Sequence, residues 1–328
     1  KSKFYVQAQF FNGISYVQLK RSIPAVQAFQ RVVQAVEDGG AGAEEVSRLR
    51  DLAFLSMART YYTASIKRDA ATDTVTVEPN KLSLAVRNWN KIDVGSEYWL
   101  DGLFEESWAY FMAGDYPRAL GNIHSLQEPF FPKSFYPEAE ILRAQIYFAT
   151  CQYDQAKTIV AKFKKKYEPL SNQLQAVLAN FADKGKEPEA FKFLKDLKSN
   201  KANVGADIKP VIENALSDRV LLKHVEYVKM LDDEEARFKK FPGGFRESPV
   251  GKYVDDALNL SKDVAVTNAG SLVQAKYTQN IDDVNVLLTD ANKILIDITA
   301  AEYDLLALFA RHPNRPLNRD QIMEQAHN

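Results

Sequence analysis

Cysteine is nearly absent: Cys151 is the one thiol in 328 residues, so no disulfide can close within the chain and its composition carries no redox signature. Glycine and proline are sparse, at 14 and 13, which is low for a β-rich protein and suits a helical one. No apolar run approaches the roughly 18 residues that a membrane-spanning helix needs. Charge of one sign is missing too, since 42 Lys and Arg against 43 Asp and Glu leave a net charge of −1. Neither nucleic acid nor an anionic membrane is demanded by that balance. His124, His224, His312 and His327 are scattered, with no metal-ligand pair at i, i+4 and no HExxH. GxSxG, Walker and Rossmann glycine patterns are missing. Carboxylate neighbours such as Glu105–Glu106 and Asp232–Asp233 read as solvated helix charges rather than acid/base pairs. No catalytic residue, metal or cofactor follows from this sequence. The chain opens on KSKFYVQAQF, already in helical rhythm and without initiator Met or signal peptide, which reads as a mature or trimmed fragment.

What is present is repetition. GISYVQLKRSIPAVQAF places Gly13, Tyr16, Ala25, Phe29 and Val32 at fixed steps. The same steps give Ser107, Tyr110, Ala119, Ile123 and Leu126, and again Ala144, Tyr147, Ala156, Val160 and Phe163. FLSMARTYY supplies Phe54, Met57, Ala58 and Tyr61 for a further unit, which Ala85, Trp89 and Ile92 complete. There the Tyr-to-Ala step is 24 residues instead of nine, so about 15 are inserted; the insert near 65–80 is polar and Thr-rich, and reads as a loop. Ala85 to Ala119 is 34 residues and Ala119 to Ala156 is 37. Small residues at these positions let two antiparallel helices approach, while Tyr, Phe and Trp fill the gap to the next pair. In WAYFMAGDYPRALGNI, Gly114 tolerates the left-handed conformation that ends a helix, Asp115 caps the next one, and Pro117 sits in its first turn. Cys151 occupies the position of Gly114 in its own repeat and reads as a packed thiol, not a nucleophile.

The spacing resembles the tetratricopeptide repeat, whose period is about 34 residues. The stretch from YWLDGLFEESWAY to KKKYEP further resembles tetratricopeptide proteins of the cell envelope in myxobacteria and their relatives, some of them associated with gliding motility. That resemblance covers roughly residues 5–170. It implies an all-α, right-handed tetratricopeptide-like α-solenoid without catalytic activity, in the bacterial periplasm or peripherally associated with the outer membrane; a cytoplasmic setting is the alternative. Such an array presents the first helix of each pair to a protein or peptide partner. The polar positions Gln9, Asn12, Arg59, Glu105, Glu106 and Gln145 are the partner-binding candidates.

The organisation expected is a repeat array over 1–170, further helices over 171–240, and a long helix with terminal helices over 245–328. Apolar residues recurring from Asp207 to Lys240 predict one long helix, stopped by Phe241-Pro-Gly-Gly, and a second runs from about Pro249 to about Ile296. The two suggest an antiparallel helical hairpin or coiled-coil arm, with packing onto the repeats as the alternative. KFKKKY, 162–167, reads as a basic helix end meeting the negative end of the dipole, with a lipid or acidic-partner contact as the lesser alternative. QEPFFPKSFYP, with Phe130, Phe131 and Phe135, is either core or a partner patch. Residues 298–328 resemble the first two helices of the winged-helix effector domain of OmpR-type response regulators. The resemblance is carried by Ile298, Thr299, Glu302, Leu305, Leu306, His312, Pro313, Leu317, Arg319, Asp320 and Gln321. In that family the next helix reads the major groove; here a truncated or fused segment packing as terminal helices, with Thr299 and Asn318 as helix caps, is the favoured reading, and no nucleic-acid partner is expected. A regulator joining repeat sensing to DNA binding is the rival reading, and a helical enzyme with a dispersed site is another.

Overall fold

The computed structural model describes residues 4–39, 44–69, 74–128, 130–131, 136–205 and 208–311. The protein is all-α: thirteen helices and one two-stranded hairpin are found among the described residues. Its contacts divide it into two compact units, Lys1–Cys151 and Gln152–Asn328.

The first unit holds α1 (Tyr5–Gln18), α2 (Ser22–Asp38), α3 (Glu44–Ser65), β1 (Ile66–Arg68), β2 (Val75–Val77), α4 (Pro79–Trp89), α5 (Trp99–Met112), α6 (Tyr116–Leu126) and α7 (Pro137–Ala149). Each helix packs on the next in the chain, and α1 also meets α3 as α5 meets α7. The small residues aligned by the repeat are where the helices close up: Ala25, Ala58, Ala85, Ala119 and Ser107 are completely buried. A Cβ on Gly13 would stand 2.4 Å from the Phe29 ring, so the α1–α2 crossing requires glycine there. Phe29, Trp89 and Ile123 fill the spaces between, and burying each such side chain is worth about 1.5–3 kcal/mol.

The helix-ending turns repeat as well. Lys20, Gly114 and Cys151 all have positive φ, at 56°, 74° and 57°. Each donates its N–H to the carbonyl three residues back, on Val17, Phe111 and Phe148. Asp115 caps α6 by accepting from the Arg118 N–H at 3.3 Å. The insert is not simply a loop. β1 and β2 pair antiparallel, with Ile66 opposite Val77 and Arg68 opposite Val75. Its alternating Thr and Val are β-formers, a signal that polarity and the closing proline obscured.

The second unit holds α8 (Tyr153–Leu178), α9 (Glu187–Lys198), α10 (Lys209–Ala215), α11 (Arg219–Phe238), α12 (Gly243–Arg246) and α13 (Pro249–Arg311). α13 is its spine, 63 residues or roughly 95 Å of helix. It packs against α8, α9 and α11. The pairing with α11 is antiparallel. Lys276 meets Asp218 at 3.0 Å near the start of α11, while Lys262 meets Asp232 at 2.7 Å and Glu235 at 2.6 Å near its end. The far half of α13 runs antiparallel to α8, tied by Lys157 to Glu302 at 2.5 Å and by Ser171 Oγ donating to Asn285 Oδ1 at 2.6 Å.

Three sequence expectations are corrected here. A boundary at 170 falls inside α8, which runs through Pro169; the buried series Ala156, Val160, Phe163, Tyr167, Leu170 and Leu174 is unbroken, and its packing outweighs the proline. KFKKKY is therefore mid-helix, with Lys164 paired to Glu168 at 3.3 Å. The single helix expected over 207–240 is two, because Asp218 caps α11 by accepting from the Val220 and Leu221 N–H groups at 2.9 and 3.1 Å.

Candidate functional site

α1, α3 and α5 are the first helices of their pairs, and a cavity of about 570 Å3 opens along the C-terminal turns of α1 and α3. Ile14, Val17 and Ala64 give it apolar walls. Lys20 and Arg21 stand over it, placed by the left-handed turn in which the Arg21 N–H returns to the Tyr16 carbonyl at 2.9 Å. Neither cation pairs with a carboxylate among the described residues. Ser56 and Thr60 line it too, but their hydroxyls donate back to the Leu52 and Ser56 carbonyls at 2.7 Å. The wall is thus less polar than its composition. Arg59 closes one side.

Arg59 is held from across the helix pair. Its Nε donates to Glu105 Oε1 at 2.8 Å and Oε2 at 3.1 Å, and Nη2 donates to Oε1 at 2.5 Å. The Trp89 indole N–H adds a bond to Glu105 at 3.2 Å. This fork latches α3 to α5 and fixes the guanidinium beside the cavity.

Glu106, next in the chain, does something else. It is only 5 % exposed, and accepts from Asn90 Nδ2 at 2.9 Å, Asn122 Nδ2 at 2.8 Å and the Tyr110 hydroxyl at 3.2 Å. Burial pushes its carboxyl above the usual range, against the pull of those three bonds. Burial and the Glu106 charge together push Tyr110 up to about 12. Glu106 is therefore a strut joining α4, α5 and α6, neither the solvated charge the sequence suggested nor a surface for a partner, which corrects its place among the candidates. Trp89 to Glu105, Asn90 to Glu106 and Glu106 to Asn122 are all steps of 16 residues. That recurrence marks Asn90 and Asn122, which residue type alone did not.

Of the other candidates, Gln9 and Asn12 lie half-buried on α1 and Gln145 half-buried on α7. None lines the cavity. The structure thus brings Arg59 and Glu105 together, makes Glu106 a framework residue, and leaves Gln9, Asn12 and Gln145 apart. The residues missed are Val17, Lys20 and Arg21; the signal was a lysine standing where the aligned repeat has Gly114.

A second cavity, of about 730 Å3, lies among α2, α3 and α4. Glu37, Arg50, Lys91 and Asp93 line it, so its charge is mixed. Among the described residues no group of three His, Cys, Asp or Glu could hold a metal ion, and no helix is long and apolar enough to cross a membrane.

At the C-terminal end, residues 298–311 continue α13 rather than starting a new helix. Thr299 is no cap: its hydroxyl donates to the Leu295 carbonyl at 2.9 Å inside the helix. Ile298 is buried and Glu302 holds Lys157, so two residues carrying the winged-helix resemblance serve packing within the second unit. His312, Pro313, Leu317, Asn318, Arg319, Asp320 and Gln321 lie outside the described residues, as does Phe135.

Fold and site define an all-α protein of packed helix pairs with a cation-rimmed apolar cavity on its first helices. The chain matches no protein-family model, no curated protein and no solved structure.

Proposed function

We propose that the first unit is a tetratricopeptide-like solenoid and the protein a non-catalytic scaffold that holds a peptide or protein segment against its first helices. The observation that carries this reading is the cavity between α1 and α3, where apolar walls of Ile14 and Val17 lie under Lys20 and Arg21, cations that pair with no carboxylate among the described residues. Apolar area anchors a segment and convergent charges orient it; affinity in such grooves rests on a few anchors and a preformed shape. A segment bearing carboxylates fits the rim best. The assembly we infer is a bacterial envelope or motility complex, on the strength of the sequence resemblance in the repeats.

The test compares polypeptides that co-purify with the wild-type chain and with Val17→Glu and Lys20→Glu/Arg21→Glu variants of unchanged melting temperature. All three positions are exposed, so the fold should persist. Partners retained by wild type and lost with both variants support the reading. Identical partner sets contradict it, and recovery of promoter DNA would favour the regulator instead.

A further inference from the structure

The end of the α11–α13 hairpin combines exposed aromatic rings with a run of cations. Between Ala236 and Val254 the chain carries Arg237, Lys239, Lys240, Arg246 and Lys252, and a single carboxylate, Glu247. Phe241 and Phe245 stand 51 % and 41 % exposed, with Tyr253 at 75 %. The two phenyl rings lie 5.3 Å apart and rest on the buried Phe238 at 6.4 and 6.5 Å.

The turn is built to hold them out. Arg246 Nε donates to the Phe241 carbonyl at 3.0 Å and Ser248 Oγ to the Phe245 carbonyl at 2.6 Å. At Gly251 a Cβ would meet the Phe245 carbonyl at 2.2 Å, so glycine lets α13 close against the turn. A solvent-facing helix connection needs none of these rings; polar turn residues would serve it. Lys239 is shared with Glu235, but Arg237, Lys240 and Lys252 meet no carboxylate among the described residues. Carboxylates resume only further back, at Asp232 to Glu235 on α11 and at Asp255 and Asp256 on α13. The hairpin end is therefore basic and aromatic, and its shaft acidic.

We propose that this end docks on an anionic lipid surface, with Phe241 and Phe245 entering the boundary between headgroups and acyl chains and Arg237, Lys240 and Lys252 lying among anionic headgroups. The charge complementarity favours a bilayer: two convex rings flanked by cations suit a surface that accepts apolar groups and basic groups at adjoining depths. The acidic shaft is then kept in water. This surface belongs to the second unit and does not depend on the groove reading.

Flotation of the full chain with phosphatidylcholine vesicles, with and without phosphatidylglycerol, tests it. Wild type is expected to float with the anionic vesicles at low salt, to be released at high salt, and to ignore pure phosphatidylcholine. Lys240→Ala/Lys252→Ala should weaken partitioning by about tenfold or more, and Phe241→Ser/Phe245→Ser should abolish it. Circular dichroism shows whether each variant is folded, and the lysine pair, exposed and away from the core, stands should the phenyl variant unfold. No flotation of wild type, flotation unchanged by the lysine pair, or capture of soluble polyglutamate without capture of vesicles would overturn the proposal.

Discussion

Lys20 and Cys151 hold backbone angles that their side chains resist. A left-handed φ costs a non-glycine residue about 1–2 kcal/mol, and both sit in the helix-ending turn that Gly114 fills without strain. Lys20→Gly and Cys151→Gly should therefore each stabilise by about 0.5–1 kcal/mol in chemical denaturation, despite the added freedom of the unfolded chain. No gain in either would break the equivalence of the three turns. Tyr277 tests a different cost. Only 1 % of it is exposed, its ring meets Phe181 and Phe193 edge-on, and its hydroxyl has no hydrogen-bond partner among the described residues. Burial pushes that phenol far above its usual range. Tyr277→Phe removes an unsatisfied polar group and should raise stability by about 1 kcal/mol; a loss would mean that the hydroxyl is satisfied. Much at this scale was legible. Gly13, Ala25 and Ala119 were assigned to close helix contacts from spacing alone, and they are buried where expected. Glu106 was not legible, because a glutamate's burial depends on Asn90 and Asn122 reaching it from neighbouring helices.

Helices close on one another through single residues. A Cβ on Gly270 would lie 1.9 Å from the Glu187 carbonyl, where α9 begins against α13. Backbone cannot yield as a flexible side chain can, so Gly270→Ala should cost about 2–3 kcal/mol, read as a lowered denaturation midpoint at unchanged slope. Loss below about 0.5 kcal/mol would mean that α9 does not approach so closely. The α11–α13 pair also has an acid signature. Glu235 is pulled down to about 2 by hydrogen bonds from Lys239 and then Lys262, with their charges adding. A carboxylate with a lowered folded-state value supplies stability above its ordinary value, near 4.5, and loses it as pH falls through the folded value. Stability should thus decline between about pH 4.5 and 2, and Glu235→Gln should flatten that limb in a pH series of unfolding midpoints. An unchanged limb would rule out this pair as its source. Element boundaries were the less legible part. The repeat array reads as ending at 170 until the packing of Leu170 and Leu174 carries α8 past Pro169, and Ser217-Asp218 reads as helix interior until Asp218 is recognised as a cap. Such cases turn on which contacts compete, and periodicity alone does not record the winner.

Taken whole, the chain joins a unit of successive helix pairs to a unit organised along one long helix, each with its own core. The all-α class was legible because glycine and proline are few and the apolar period is helical throughout. The cavity was less so, since Val17, Lys20 and Arg21 form it only when the α1 turn and the α3 face are both in place. The proposed scaffold function rests on that cavity, which makes it the place to look for a partner. A photo-crosslinking amino acid should be installed in the host cell at Val17, on the first-helix face, and in parallel at the exposed Arg31 of α2. A discrete protein adduct at Val17 that is missing at Arg31 is the expected result. Adducts at Arg31 alone, or at neither position, would contradict a partner held against the first helices.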